Sequence, residues 1–378
     1  MDNNVVVTPW EVSGDLNEKA YAKIAKEFGV KIIDEALLSK IKAVTKDLHP
    51  FLLDGLFFAH RDLDTAIDSY KAGEELYLYT GRGPSGKMHL GHLLPFIFTK
   101  WLQERLGVHL LIQITDDEKY LVKDTGWEEI QKYVKENVAD IISLGFEPSK
   151  THIIIDSMHA GILYDNAVKF AKHVTASTVK AVFGIKDSEN IGKFFFPSIQ
   201  AVPSFLVSAI KKKKVRCLIP YSIDQDDYFR VARDVLPKMG YYKPSSIISK
   251  FVGSLQGGGK MSSSSPTSSI FLDDDEKTVR KKLMKYAFSG GKDTVEDQRK
   301  YGANPEIDFA FNMYRMLSED HGATRKVYEE YKSGKMLSGE MKELAASTIS
   351  RYLHELQARR KESGSRLHEY LFKPERFG

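Results

Sequence analysis

From Gly73 onward the apolar residues fall into short continuous runs separated by longer periodic ones. Leu76–Tyr79, Val108–Ile114, His152–Ile155 and Val215–Pro220 are short and near-continuous, which predicts strands covered on both faces. Between them the spacing turns helical, over His89–Leu106 with Gly107 as a stop and over Trp127–Leu144 with Gly145 as a stop. A further helical pattern runs from Asp224 to Met239. Strands alternating with long helices predict βαβ units, a mostly parallel sheet and an α/β fold. In such sheets ligands sit beyond the carboxyl ends of the strands. Residues 1–72 read as mixed: an extended piece from Val5 to Val12, then helical patterns around Glu18–Phe28 and Asp34–Val44. After Lys277 no strand pattern remains. Thr278–Phe288, Asp308–Ser318, Ala323–Tyr331 and Gly339–Leu371 read as helices, with an interruption near Gly364.

Composition narrows the class. The 378 residues suffice for two or three domains, and 42% hydrophobic with 28% charged residues excludes a disordered tail. No apolar run approaches the roughly 20 residues of a membrane span, and Met1-Asp2-Asn3-Asn4 lacks the character of a secretory signal. The single cysteine, Cys217, excludes an intramolecular disulfide and a multi-cysteine zinc site, and its apolar flanks predict a buried strand position. Net charge is +4, unevenly spread: residues 277–378 carry 21 Lys+Arg against 15 Asp+Glu, leaving the remainder at −2. A basic helical third raises the odds of a polyanionic partner, although charge alone fits a solvated helical surface as well.

The richest stretch is Gly81 to His92. It follows a strand and opens a helix, where free backbone N–H groups and the helix dipole favour an anion. Gly81 to Lys87 fits G-x-x-x-x-G-K, but the next residue is Met88, and a thioether cannot replace the magnesium-binding hydroxyl of a P-loop. What remains is His89-Leu90-Gly91-His92, two imidazoles three apart on one helix face with a glycine between them. A second loop, Gly257 to Pro266, holds Lys260-Met261-Ser262-Ser263-Ser264. Taken singly, the first is an ordinary helix start and the second a linker. Their order and their α/β context make the pair far more specific.

At this point the chain resembles the class I aminoacyl-tRNA synthetases, whose signatures are H-I-G-H and K-M-S-K-S; Ser264 stands where the family has its second lysine. Tyr77 to Ser85, Gln113 to Tyr120, Phe196 to Ala201, Ile223 to Asp226, Thr8 to Val12, Ala287 to Thr294 and Gln357 to Lys361 are similar to the tryptophanyl-tRNA synthetases of the archaeal and eukaryotic cytosolic type. The resemblance implies a class I Rossmann-like catalytic domain over 73–276, preceded by a small amino-terminal extension (1–72) packing on it. It further implies a helical anticodon-binding domain over 277–362 and a terminal helical segment over 363–378 that returns to the catalytic domain.

The implied chemistry is tryptophan activation by ATP and transfer to tRNA(Trp). The carboxylate needs no general base; it needs alignment and charge stabilisation at the phosphates. By resemblance, His89, His92, Lys260 and Lys119 are catalytic, and Arg82, Gly83, Gly91, Lys260, Met261, Ser262 and Ser263 bind ATP. Tyr79, Gln113, Glu118, Gln200 and Gln225 bind tryptophan. Glu118 with Tyr79 or Gln113 falls on the indole side, and Gln200 and Gln225 at the amino and carboxylate end, where Gln113 is a further candidate. Lys292 and Asp293 are the anticodon candidates, and Lys211 to Lys214 is a further basic run suited to phosphate or to solvent. Magnesium is expected to arrive with ATP, with no resident metal ligand; Asp116, Asp117, Asp224 and Asp226 sit at strand ends as caps or assistants. A cytoplasmic homodimer without membrane contact is the family expectation. Tyrosyl-tRNA synthetase is the nearest alternative, and a nucleotidyltransferase that never meets RNA a more distant one.

Overall fold

The computed structural model describes residues 6–8, 12–13, 18–263, 265 and 267–377. Pro9, Trp10 and Glu11 of the amino-terminal motif, and Ser264 of the second signature, lie outside the described residues. Strands β1 (Val6–Val7) and β2 (Val12–Ser13) form a small antiparallel ribbon. The other strands are β3 (Lys31–Ile32), β4 (Phe57–Arg61), β5 (Leu76–Arg82), β6 (His109–Ile114), β7 (Thr151–Ile155), β8 (Arg216–Ser222) and β9 (Ser245–Ser249). They make one sheet in the order β3-β4-β9-β8-β5-β6-β7. From β9 to β7 every pairing is parallel; β3 and β4 add an antiparallel edge.

The parallel strands are buried along nearly their whole length, which is why they read as continuous apolar runs. Cys217 is buried on β8 as expected. One face of the sheet presents Tyr77, Tyr79, Leu111, Ile154, Cys217 and Ile219 to a core completed by Phe170, Phe196, Phe205, Tyr228 and Phe229 from helices. The helices over Leu90–Leu106 and Trp127–Ser143 follow the sequence pattern to within a residue at each end. The second buries Ile130, Val134, Val138 and Ile141 along one stripe, and Gly145, at φ 80°, provides the left-handed stop.

Three elements depart from the expectation. β4 was hidden in the mixed amino-terminal region, yet it is a buried strand of the main sheet. β9 carries serine at three of five positions and gave no strand signal. The stretch after β8 is not one helix: a turn of 3-10 helix at Ile223–Gln225 leads into Asp226–Val235 and a second 3-10 turn at Leu236–Met239.

The chain divides into two compact units. The first comprises Met1–Gly86, Pro95–Phe251 and Ser365–Gly378, and contains the sheet. In it the returning segment places Leu371 in a parallel bridge beside Ile153 of β7, and Phe372 N donates to Ile153 O at 2.9 Å. The second comprises Lys87–Leu94 and Val252–Gly364. Its described residues beyond 275 hold helices only, led by Glu276–Tyr286, Phe309–Leu317, His321–Lys332 and the long Ser338–Ser363. That last helix buries Met341, Ala345, Ile349, Leu353 and Leu356, and ends before Gly364 as the pattern predicts.

Candidate active site

In the first unit the chain steps from β5 outward to β6 and β7, then returns to β8 and β9 on the other side of β5. The carboxyl ends beside β5 are therefore the switch point at which α/β sheets bind ligands. Tyr79 lies near the end of β5, Gln113 near the end of β6, and Gln200 on the helix Ile191–Ala201. The fold brings these three together. The Tyr79 hydroxyl donates to Gln113 Oε1, and Gln200 O stands 3.2 Å from the same hydroxyl. Gln200 Nε2 donates to Tyr79 Oη at 3.3 Å. Gln113 Nε2 reaches both oxygens of Asp156 at 2.9 Å. Gln225 ends the turn after β8, half-buried, with no hydrogen bond to the other three among the described residues.

Glu118 and Lys119 sit on the short helix Asp116–Val122 that follows β6. The Glu118 carboxylate accepts from Thr115 Oγ1 at 3.1 Å and pairs with Lys119 Nζ at 2.6 Å. Lys119 lies so close to Gly83 that a Cβ there would meet its Cε at 2.0 Å. Glycine at 83 is thus the condition for this lysine's position. Arg82 donates through Nε to Asn137 Oδ1 at 3.0 Å, while Nη2 has no partner among the described residues. Burial pushes the guanidinium pKa down to about 10. Asn137 also donates to Gly86 O at 2.9 Å, fixing the glycine loop.

The strand-end carboxylates are committed elsewhere. Asp116 accepts from Ser157 N and Gln131 Nε2, and Asp226 takes Arg61 in a two-pronged ion pair together with the Tyr221 hydroxyl. Asp117 and Asp156 bond to each other; burial pushes Asp117 up to about 6, and burial with the neighbouring Asp117 charge holds Asp156 well above the usual carboxylate range. Among the described residues no three His, Cys, Asp or Glu side chains converge as a metal site.

The second unit holds both signatures. Leu90 N donates to Ile270 O at 3.0 Å, Leu272 N to Met88 O at 3.0 Å, and His89 bridges Phe271. His89 and His92 stack with ring centres 3.6 Å apart, and the His89 N–H donates to His92 Nδ1 at 3.1 Å. A Cβ on Gly91 would stand 3.1 Å from the His89 ring and 3.4 Å from Met261 Cβ, so glycine lets the two signatures touch. The second loop is a narrow turn closed by a Gly253–Lys260 bridge, and Gly257, Gly258 and Gly259 are all left-handed. Ser262 and Ser269 exchange hydrogen bonds, and Ser263 Oγ donates to Lys87 O at 3.0 Å. His89, His92, Gly91, Lys260, Met261, Ser262 and Ser263 thus form one cluster.

Lys292 and Asp293 are exposed on the turn before the helix Val295–Tyr301. The turn rests on a fixed base: Gly290 N donates to Asp308 Oδ2 at 2.9 Å, beside the Tyr331 hydroxyl at 2.7 Å. A Cβ on Gly290 would meet Asn304 O at 1.9 Å. In the run Lys211 to Lys214, by contrast, Lys211 and Lys213 both pair with Glu75, and Lys214 lies over the Tyr242 ring.

Sequence reasoning passed over Asp156 and Asn137. Each carried a signal: Asp156 follows the apolar run of β7 directly, and Asn137 is a polar residue on the buried stripe of its helix.

Residues 71–354 match the family model described as tRNA synthetases class I (W and Y). The chain is 45% identical to a tryptophan–tRNA ligase of Saccharolobus solfataricus over 98% of its own length and 96% of the relative's. It is 44% identical to the cytoplasmic tryptophan–tRNA ligase of Saccharomyces cerevisiae, covering 94% of this chain and 86% of that one. The crystal structure of Plasmodium falciparum tryptophanyl-tRNA synthetase superposes with a TM-score of 0.87 at 40% identity, covering 94% and 98% of the two chains.

Proposed function

The chain belongs to the class I tRNA synthetases for tryptophan and tyrosine and is a tryptophan–tRNA ligase using ATP, and from that premise we propose how its residues divide the work. Tryptophan offers one polar handle on its ring, an N–H that only donates. The buried Tyr79–Gln113 pair is neutral and suits that neutral donor. The long 3.3 Å contact from Gln200 to Tyr79 is the bond an incoming indole N–H replaces. Glu118, already facing a cation, suits the α-ammonium group, with Gln200 and Gln225 beside it. This moves Glu118 away from the indole, on the ground that a carboxylate is better matched to a charge.

ATP is held by donors. His89, His92 and Lys260 approach the phosphates, Met261, Ser262, Ser263 and Gly91 shape the nucleotide's seat, and Gly257 to Gly259 give the lysine loop its hinge. Lys119, kept in place by Gly83, and Arg82, whose Nη2 has no partner among the described residues, are the further cations proposed for the phosphates. Magnesium enters as the counter-ion of ATP. The carboxylate of tryptophan displaces pyrophosphate from the α-phosphorus, and the terminal ribose hydroxyl of tRNA(Trp) then takes the tryptophanyl group and releases AMP. The helical residues 277–362 read the anticodon through Lys292 and Asp293. A homodimer working in the cytoplasm fits the exposed apolar side chains Met158, Tyr164, Val168 and Ile191.

The observation that carries this reading is the buried Tyr79–Gln113 hydrogen bond at the switch point. Its test is ATP–pyrophosphate exchange with tryptophan and with tyrosine. We expect exchange with tryptophan alone; exchange favouring tyrosine would overturn the assignment of the slot.

A further inference from the structure

Tyr79 must show its lone pair to an indole N–H, yet a phenol hydroxyl can equally donate. Something has to fix its direction. Two acceptors face it from inside the protein, Gln113 Oε1 and the carbonyl of Gln200. The carbonyl can only accept. Gln113 Oε1 is turned toward Tyr79 because its Nε2 is held at 2.9 Å by both oxygens of Asp156. We propose that Asp156 is a positioning residue for substrate selection: through Gln113 it holds the Tyr79 hydroxyl as an acceptor toward the indole. This rests on the assignment of Tyr79 to the indole.

The chain of bonds has a direction. Tyr79 donates to Gln113, Gln113 donates to Asp156, and Asp156 bonds to Asp117. Asp117 also accepts from the backbone N–H of Glu118 at 2.7 Å. Burial keeps the proton of the acid pair on Asp156 and leaves the charge on Asp117, so every donor points inward to a fixed anion. Asp116, on the same helix as Asp117, adds to the negative field. Tyr79, Gln113 and Asp156 are all buried, and in a low-dielectric interior the bonds of such a chain strengthen one another.

Of the two oxygens that Asp156 sets 2.9 Å from Gln113 Nε2, one acceptor is enough to hold the amide, and beside it the carboxyl supplies one donor toward Asp117. An asparagine supplies both, with Oδ1 for Gln113 and Nδ2 for Asp117. The proposal therefore makes Asp156→Asn nearly silent, whereas Asp156→Leu lets the Gln113 amide turn over and Tyr79 become a donor. The probe is β-(3-benzothienyl)alanine, which has sulfur in place of the indole N–H and cannot donate. Wild-type protein and Asp156→Asn should prefer tryptophan over this analogue by the same ratio of exchange kcat/KM, within about twofold. Asp156→Leu should lose that preference at least tenfold through the KM for tryptophan, with the KM for ATP unchanged. If the leucine protein is insoluble, Asp156→Ala takes its place. The proposal fails if Asp156→Asn loses the preference or does not fold. It fails equally if the apolar variant lowers kcat or stability while keeping the ratio, which is how a purely structural carboxyl behaves. A wild-type protein inactive with tryptophan would instead refute the functional reading.

Discussion

At Gly83 the absence of one methyl group sets the place of a charge. The Cβ of an alanine would overlap the far end of Lys119, a flexible side chain, and stand 3.1 Å from Glu118 Oε2. The backbone there is not left-handed, so alanine costs the fold little. Lys119 Cε, however, must move by more than an ångström and carries the ammonium with it. Misplacing a reacting group by that much costs about 10²-fold in rate. Gly83→Ala should therefore slow tryptophan-dependent pyrophosphate exchange about 10²-fold while its thermal midpoint stays near that of the wild type. A variant melting many degrees lower would assign Gly83 to stability instead. At this scale the sequence was legible wherever several residues spoke together. His89, His92 and Lys260 form spaced motifs that fall in the second unit, and Tyr79, Gln113 and Gln200 come together in the first. Asp156 was not legible, because one acid after an apolar strand is also how a strand is ordinarily capped. Only its two bonds to Gln113 distinguish it.

Among the elements, the end of the chain has an unusual seat. Phe377 packs on the His152 ring with centres 4.3 Å apart, and His152 Nε2 stands 2.9 Å from His109 Nδ1. His152 is fully buried on β7, and burial next to His109 and Arg376 pushes its pKa down to about 3. An unfolded histidine titrates near 6.5. Between those values the unfolded chain binds a proton that the folded chain refuses, so stability falls as pH drops below about 6.5 and is unaffected by this group above it. At pH 5 the penalty is about 2 kcal/mol, from roughly 1.4 kcal/mol per pH unit. Denaturant melts of wild type and His152→Gln at pH 7 and pH 5 should show the glutamine protein losing about 2 kcal/mol less over that interval. Equal losses would remove His152 as the cause. The strands on which this pair sits were readable because their side chains are apolar. β9 was not, since Ser245 and Ser249 are buried only with their hydroxyls satisfied by Asp62 O and Ser222, partners far away in sequence.

For the molecule as a whole, the two steps of the reaction make different demands. Adenylate formation needs no RNA, and none of the residues assigned to it belongs to the exposed turn at Lys292. Lys292→Ala or Asp293→Ala should therefore weaken charging of tRNA(Trp) while leaving pyrophosphate exchange within about twofold of wild type. Equal losses in both assays would make the turn a support of the fold. The excess of basic residues after 277 is consistent with an RNA partner, and the binding of tRNA should weaken as salt rises. The α/β class and the helical third were legible at this scale because periodicity changes once, near 277. The division into compact units was not, because Lys87–Leu94 joins residues that come more than 150 positions later.

The bridge between Leu371 and Ile153 also has a history in time. A ribosome adds roughly 5–20 residues per second, so the segment that covers the edge of β7 is made about 10–40 s after β7 itself. Until then a nascent chain carries a strand with three consecutive isoleucines and one side unpaired, the kind of edge that recruits other chains. Chains whose synthesis stops before Leu371 keep that edge for good, and with it the risk of aggregation or capture by chaperones.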